Sequence, residues 1–544
     1  MEAPQLVKEQ TRERSREAGE GGFSIVNPAT GQKVGEYPLM SPEEVAEAVR
    51  RARGAFPAWS KTPYSTRARI LRRAASRLAE GAEEYGRIIG SETGKTQLDA
   101  LLAEIFPTCD LLHYYAKKGE KFLRPVKVGG SAVLPGRKAY YTFEPRGVVG
   151  VIAPWNYPFT LASGPVISAL AAGNTVVLKP SSQTTASGKI LEEVFKAAGL
   201  PPDVLQVITG SGPVTGRALI QSSELDMLFF TGSTEVGIEV NRAAAEGLVP
   251  VVMELGGKDS MIVTRNADLD RAAHAAVWGA FFNSGQTCTG VEFCFVDRSI
   301  YTAFLDRVLR IAERIEPGTL SGQMGSMTME PQVRILEDQI QDAVAGGAKV
   351  RIGGARVKSA RGLFFEPTVI TGIRPEMKIW QEETFGPILP IVPYDTPEEA
   401  IRMANSTPYG LSGSVYSEDL EEARMYACRM ETGSVNINDC LVTYALPSLP
   451  FGGVKASGVG TYHGESGIRN FCRIKSVTEF KGLYAKEFFH YPVASWVKDA
   501  MEALLVLLYS EETGARWRAL PKTARIAGDL IGGMWRKRRS RPRS

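Results

Sequence analysis

From Gly147 onward the chain alternates short β-branched runs with helical stretches, and this limits the folds open to it more than any other feature. Val148-Val149-Gly150-Val151-Ile152-Ala153 and Thr175-Val176-Val177-Leu178-Lys179 have the composition of parallel strands covered on both faces. A helical stretch, Ala186–Ala198, follows the second. Further strands are predicted at Val204–Val207, Met227–Phe230 and Pro250–Met253. The pattern predicts a doubly wound α/β sheet, with ligands at the carboxyl ends of its strands. A second αβ region runs from about Gly257 to Lys455, and the chain returns through Ala456–Phe480.

The flanking segments read differently. Residues 1–20 are polar and charged, without the apolar centre of a signal peptide, and predict a disordered arm. Ser41-Pro42-Glu43-Glu44 is a helix start: Ser41 caps, Pro42 fits the first turn, and the acids suit the dipole. Helical patterns then extend to about residue 120. Arg124–Arg146, with Lys138-Ala139-Tyr140-Tyr141-Thr142-Phe143, reads as a β-hairpin. Beyond Leu483, Trp496–Tyr509 is a short apolar helix candidate, followed by a basic end that includes Arg536-Lys537-Arg538-Arg539.

Composition excludes several functional classes. A chain of 544 residues holds two or three domains. Its net charge of +4 comes from the tail: residues 536–544 carry six basic side chains and no acid, which leaves the rest at −2. No general nucleic-acid surface is implied. The six cysteines form no CxxC pair and the four histidines no HExxH pair, so neither a metal site nor a disulfide framework is expected. No apolar run approaches the ~18 residues of a membrane-spanning helix, and a cytoplasmic location is expected.

Three stretches carry the chemistry. Cys288 lies in Asn283-Ser284-Gly285-Gln286-Thr287-Cys288-Thr289-Gly290. A thiolate there can attack a carbonyl carbon, and the thiohemiacetal formed can give up hydride to a nicotinamide. Glu254, in Glu254-Leu255-Gly256-Gly257-Lys258, ends an apolar run, where a raised pKa would suit it to activate water. Asn156, in Pro154-Trp155-Asn156-Tyr157-Pro158, offers an amide donor to an oxyanion. By residue type alone each has a plainer reading: a small buried hydrophobe, a solvated acid at a loop start, and a turn residue. Phe230-Thr231-Gly232-Ser233-Thr234-Glu235-Val236-Gly237 follows a strand and opens a helix, as a phosphate cradle does, though it is not GxGxxG.

Together these stretches, with Glu383-Thr384-Phe385-Gly386-Pro387 and Pro450-Phe451-Gly452-Gly453, closely resemble the NAD(P)-dependent aldehyde dehydrogenase family from about Phe23 to Phe480. The resemblance implies a Rossmann-type cofactor domain (21–124 and 147–256, with 456–472), an α/β catalytic domain (257–455) and a projecting β oligomerisation arm (125–146 and 473–484). Residues 485–544 form an extension outside the usual pattern. The resemblance casts Cys288 as nucleophile, Glu254 as base and Asn156 as oxyanion donor. It also implies that Trp155, Lys179, Gly232, Ser233, Gly237, Leu255, Glu383 and Phe385 hold the cofactor, with Lys179 on the adenosine ribose and Ser233 on the pyrophosphate. Many NAD-preferring relatives carry a glutamate three residues after that lysine; here it is Ser182, which leans the expectation towards NADP or dual use.

The expected activity is oxidation of an aldehyde to its carboxylate, with a homodimer or homotetramer as the assembly. Trp155, Tyr157, Phe159, Phe281 and Phe282 suggest an apolar approach and a lipophilic substrate, though they suit core packing equally. The apolar helix and basic tail suggest peripheral membrane contact, though they suit equally a C-terminal helix packed on the body with a solvated basic end. The alternatives are a semialdehyde dehydrogenase, a CoA-acylating dehydrogenase, or a non-catalytic scaffold that keeps the fold.

Overall fold

A computed structural model describes residues 22–131, 134, 136–358, 361–482 and 486–539, with side chains up to residue 532. The N-terminal arm expected at 1–20 lies outside the described residues. The chain divides into two compact units, one of residues 1–123 and 144–473, the other of 124–143 and 474–544.

The first unit contains two large sheets. In the six-stranded sheet the order is Gly458–Val459, Val251–Glu254, Met227–Thr231, Val148–Ile152, Thr175–Lys179, Leu205–Val207. All pairs are parallel except the first, where Gly458 lies opposite Glu254. The chain thus builds outward from Val148–Ile152 in one direction, then returns to the strand's other side. That reversal opens a crevice at the carboxyl ends of Val148–Ile152 and Met227–Thr231, the place where open α/β sheets bind ligands. Val148, Val149 and Val151 are fully buried, as the β-branched run predicts, each such side chain contributing about 1.5–3 kcal/mol on burial. At the predicted helix start, Ser41 and Glu44 form a reciprocal capping box on Pro42–Trp59.

The second sheet has seven strands, in the order Lys349–Ile352, Thr368–Thr371, Ile388–Tyr394, Phe293–Asp297, Ser260–Val263, Gly413–Tyr416, Asn436–Ile437. Only the first pair is antiparallel. Alternation along the strands feeds two cores: Ile262, Phe293 and Phe295 enter one, while Met261, Val263, Cys294 and Val296 enter the other. Cys294 is therefore a packing residue.

In the second unit, Val126–Val128, Arg137–Pro145 and Cys472–Phe480 form a three-stranded sheet. The extension is a helical pair. Trp496–Tyr509 is the helix read from the sequence, with the same bounds, and Thr513–Arg539 is a second, longer helix. Among the described residues no helix is long and apolar enough to cross a membrane.

Candidate active site

Four loops converge where the two sheets of the first unit meet. The first follows the strand Val148–Ile152 and carries Asn156, which is buried. Its Nδ2 donates to the Gln286 carbonyl at 3.1 Å. Its own carbonyl accepts from Lys95 Nζ at 2.8 Å and from Asn283 Nδ2 at 3.1 Å. Lys95 is fully buried and ion-paired with Glu104, and its ammonium lies 4.3 Å from the centre of the Tyr157 ring. The other oxygen of Glu104 accepts from the backbone N–H groups of Phe159 and Thr160, at the start of the helix Thr160–Ala172. A π-helical turn at Leu101–Ile105 supplies Glu104. One buried ion pair thus fixes both ends of the Asn156 loop.

The second loop carries Cys288. After the helix Leu269–Phe281, three successive residues adopt left-handed backbone: Asn283 (φ 53°), Ser284 (φ 56°) and Gly285 (φ 71°). A non-glycine residue pays roughly 1–2 kcal/mol for that conformation. Side chains hold it in place: Asn283 and Gln286 donate to each other's carbonyls, Gln286 Oε1 accepts from Thr328 N, and Ser284 donates to Gly325. Thr287 Oγ1 and the Tyr157 hydroxyl are 2.6 Å apart, which ties this loop to the first. Cys288 itself is half-buried and free. Burial pushes its thiol pKa well up, with the carboxyls of Asp259, Glu383 and Glu254 adding to the effect.

The third loop leaves the strand Val251–Glu254. Neither carboxyl oxygen of Glu254 has a hydrogen-bond partner in the protein, although the side chain is only 3% exposed. Burial raises its pKa well above the ordinary carboxylate value. Gly257 comes so near Cys288 that a Cβ there would sit 2.3 Å from the Cys288 carbonyl oxygen.

The fourth loop holds Glu383 and Phe385. Glu383 Oε1 accepts from Gly257 N at 2.9 Å, and burial, with Glu292 nearby, pushes its pKa up to about 8. Phe385 meets Trp155 edge-on at 5.5 Å. Glu292 anchors this loop by accepting from the N–H groups of Thr384 and Phe385, and it is paired with Lys258 at 2.7 Å.

The remaining predicted cofactor residues lie along the carboxyl ends of the six-stranded sheet. Lys179 ends its strand, 3% exposed, and donates to the Pro180 carbonyl at 3.0 Å. Burial lowers its pKa to about 8. Ser182 is half-buried in the turn before the helix Thr185–Ala197. Gly232 follows Thr231, and a Cβ there would strike the Phe230 ring at 2.6 Å. Ser233 caps the helix Thr234–Glu246, whose Gly237 leaves room for Leu255, only 2.5 Å from where a Cβ would stand. A buried cation at the carboxyl end of one strand and a helix N-terminus following another suit a ligand carrying phosphates and ribose hydroxyls. These residues fit a dinucleotide.

Sequence reading missed Lys95, Glu104 and Glu292, whose roles are positional. A signal existed: Glu104 and Glu292 each interrupt an apolar run, Leu101-Leu102-Ala103-Glu104-Ile105-Phe106 and Val291-Glu292-Phe293. Of the five apolar residues expected to line an approach, Phe159, Phe281 and Tyr157 are buried. Tyr157 and Phe282 do meet, with ring centres 6.4 Å apart, and Phe282 lies 5.2 Å from the exposed Trp278. Among the described residues no group of His, Cys, Asp and Glu could hold a metal ion.

Comparison with known proteins agrees with this geometry. The aldehyde dehydrogenase family profile matches residues 15–477. The chain is 36% identical over 493 residues to a 4,4'-diapolycopene aldehyde oxidase from Methylomonas sp., covering 90% of this chain and 92% of that one. An E. coli NADP-dependent enzyme superposes with a TM-score of 0.82 at 32% identity, covering 84% of this chain and 95% of its own. The NAD+ complex of a Bacillus cereus aldehyde dehydrogenase does so with a TM-score of 0.82 at 33% identity, covering 85% and 94%. Fold, loop arrangement and sequence lead to one conclusion: the chain belongs to the aldehyde dehydrogenase family and is an NAD(P)-dependent oxidoreductase acting on aldehydes.

Proposed function

We propose a hydrolytic mechanism on a lipophilic aldehyde, carried by Cys288, Asn156 and Glu254. The Cys288 thiol gives up its proton to solvent, and the thiolate sulfur bonds to the aldehyde carbon. The oxygen becomes an oxyanion held by the Asn156 amide and the Cys288 backbone N–H, each such donor contributing roughly 2.7–4 kcal/mol. NAD or NADP, when bound, supplies the hydride acceptor. Loss of hydride leaves a thioester on Cys288. Glu254 takes a proton from water as its oxygen adds to the thioester; the carbon–sulfur bond then breaks, releasing the acid, and Glu254 returns the proton to the departing sulfur to restore the thiol. The observation that carries this reading is the buried Glu254 carboxyl, without a protein partner, on the loop whose Gly257 abuts Cys288. A base so placed would hydrolyse a thioester before CoA could take it, which disfavours the acylating alternative.

Lys179 and Ser182 support NADP or dual use, because a cation without a neighbouring carboxylate tolerates a 2′-phosphate. The aromatic line Trp278, Phe282, Tyr157 reaches from the surface to Thr287, next to Cys288, and favours an apolar substrate. The similarity to an enzyme named for diapolycopene aldehyde points the same way. The proposal includes a homodimer or homotetramer built on the arm at 125–146 and 473–484, and peripheral membrane contact through residues 485–544. Formation of reduced cofactor across long-chain, short aliphatic, aromatic and semialdehyde substrates, with NAD and with NADP and without CoA, tests it. The highest kcat/KM is expected for long-chain aldehydes; a preference for semialdehydes, or turnover only with CoA, contradicts it.

A further inference from the structure

The helix Thr513–Arg539 has two apolar faces, and its partner helix covers only one of them. Ala519 and Ile526 are buried, and Ile526 joins Phe488, Val497 and Ala500 in a small core against which Leu530 packs. Trp517, Leu520, Ala524 and Ile531 follow one another at intervals of three, four and seven residues, which sets them on a single stripe of the helix. That stripe is exposed, Trp517 by 69% and Ile531 by 52%. The end of Trp496–Tyr509 nearest the turn adds Leu505 (57%) and Tyr509 (75%). An indole and a phenol beside aliphatic side chains make a surface suited to a lipid headgroup boundary.

Charge points to the occupant. Residues 513–544 carry ten lysines and arginines and a single acid, Asp529. Six of the ten fall in residues 536–544, soon after the stripe in the sequence, and the exposed Arg516 directly precedes Trp517. Six cations with no acid among them suit an anionic lipid surface better than a second protein of mixed surface charge. Resting on the peripheral contact proposed above, we infer that this outer face docks on an anionic bilayer, with Trp517, Leu520 and Ile531 entering the interface and the basic residues meeting the headgroups.

Co-sedimentation of the full-length protein with vesicles of phosphatidylcholine alone, or mixed with phosphatidylglycerol, tests this. Selective binding to the mixed vesicles is expected, weakening with salt. The double variants Trp517→Glu/Ile531→Glu and Arg538→Glu/Arg539→Glu should each weaken it about tenfold or more, with oxidation of a water-soluble aldehyde unchanged. Equal binding to both vesicle types would overturn the charge selectivity while leaving membrane contact standing. No binding to either, with activity intact, would overturn both. A change of oligomeric mass in Trp517→Glu/Ile531→Glu, without loss of vesicle binding, would assign the face to a second copy of the chain instead.

Discussion

The Lys95 ammonium donates to the backbone carbonyl of Asn156 at 2.8 Å, and in doing so places an amide that reaches the Cys288 loop. Lys95 cannot stay charged in the interior without Glu104. Support for the proposed oxyanion donor therefore begins 61 residues upstream, in a buried ion pair.

Glu104→Gln should cost about 3–5 kcal/mol of stability, because it strips the counter-ion from a buried ammonium. Asn156→Ala should leave the melting temperature nearly unchanged and lower kcat by roughly 10²–10³. Thermal denaturation alongside steady-state kinetics separates the two effects. Equal melting temperatures for both variants would remove the structural role given to the ion pair.

Gly257→Ala should move the Cys288 backbone, since the new methyl would lie 2.3 Å from the Cys288 carbonyl oxygen. A small displacement of a nucleophile costs on the order of 10²-fold in kcat, and cofactor affinity should change far less. Isothermal titration with NADP beside kinetic assays checks this.

The pH profile follows from Glu254. Its pKa is raised by burial, so the carboxylate that acts as base is lost as pH falls through that raised value. The Cys288 thiol is pushed up as well, so thiolate also becomes scarcer as pH falls. Both act in the same direction, and kcat should climb from neutral into alkaline pH. In Glu254→Gln, where steady turnover should stop, the rate of the first burst of reduced cofactor should still climb with pH, through the Cys288 thiol alone.

Cofactor preference is open to a single substitution. Ser182→Glu should raise the KM for NADP by tenfold or more while lowering that for NAD, as a carboxylate repels a 2′-phosphate and binds ribose hydroxyls. In the unaltered enzyme, Lys179 loses its charge as pH rises through about 8. The KM for NADP should then rise above that pH more steeply than the KM for NAD.

Local sequence made the proposed reacting groups legible and left their supports hidden. Cys288, Glu254 and Asn156 each sit in a short contiguous motif at a strand or helix end, so the motif and the predicted element locate them together. The strand Thr175–Lys179 was visible because a buried parallel strand must be continuously apolar or β-branched. Lys95 and Glu104 were not, because an ion pair depends on packing between distant segments, and single charges otherwise read as surface. The helix Thr513–Arg539 was read only as a basic end: Pro521 and Gly532-Gly533 interrupt its pattern, and only pairing with Trp496–Tyr509 reveals the stripe left uncovered.

The most direct test of the mechanism is a single-turnover experiment on Glu254→Gln with NADP and a long-chain aldehyde, followed by intact mass. The account predicts one equivalent of reduced cofactor per active site, then arrest, with an acyl group on Cys288 that Cys288→Ala cannot form. Sustained turnover by Glu254→Gln, or a burst with no adduct on Cys288, would contradict it.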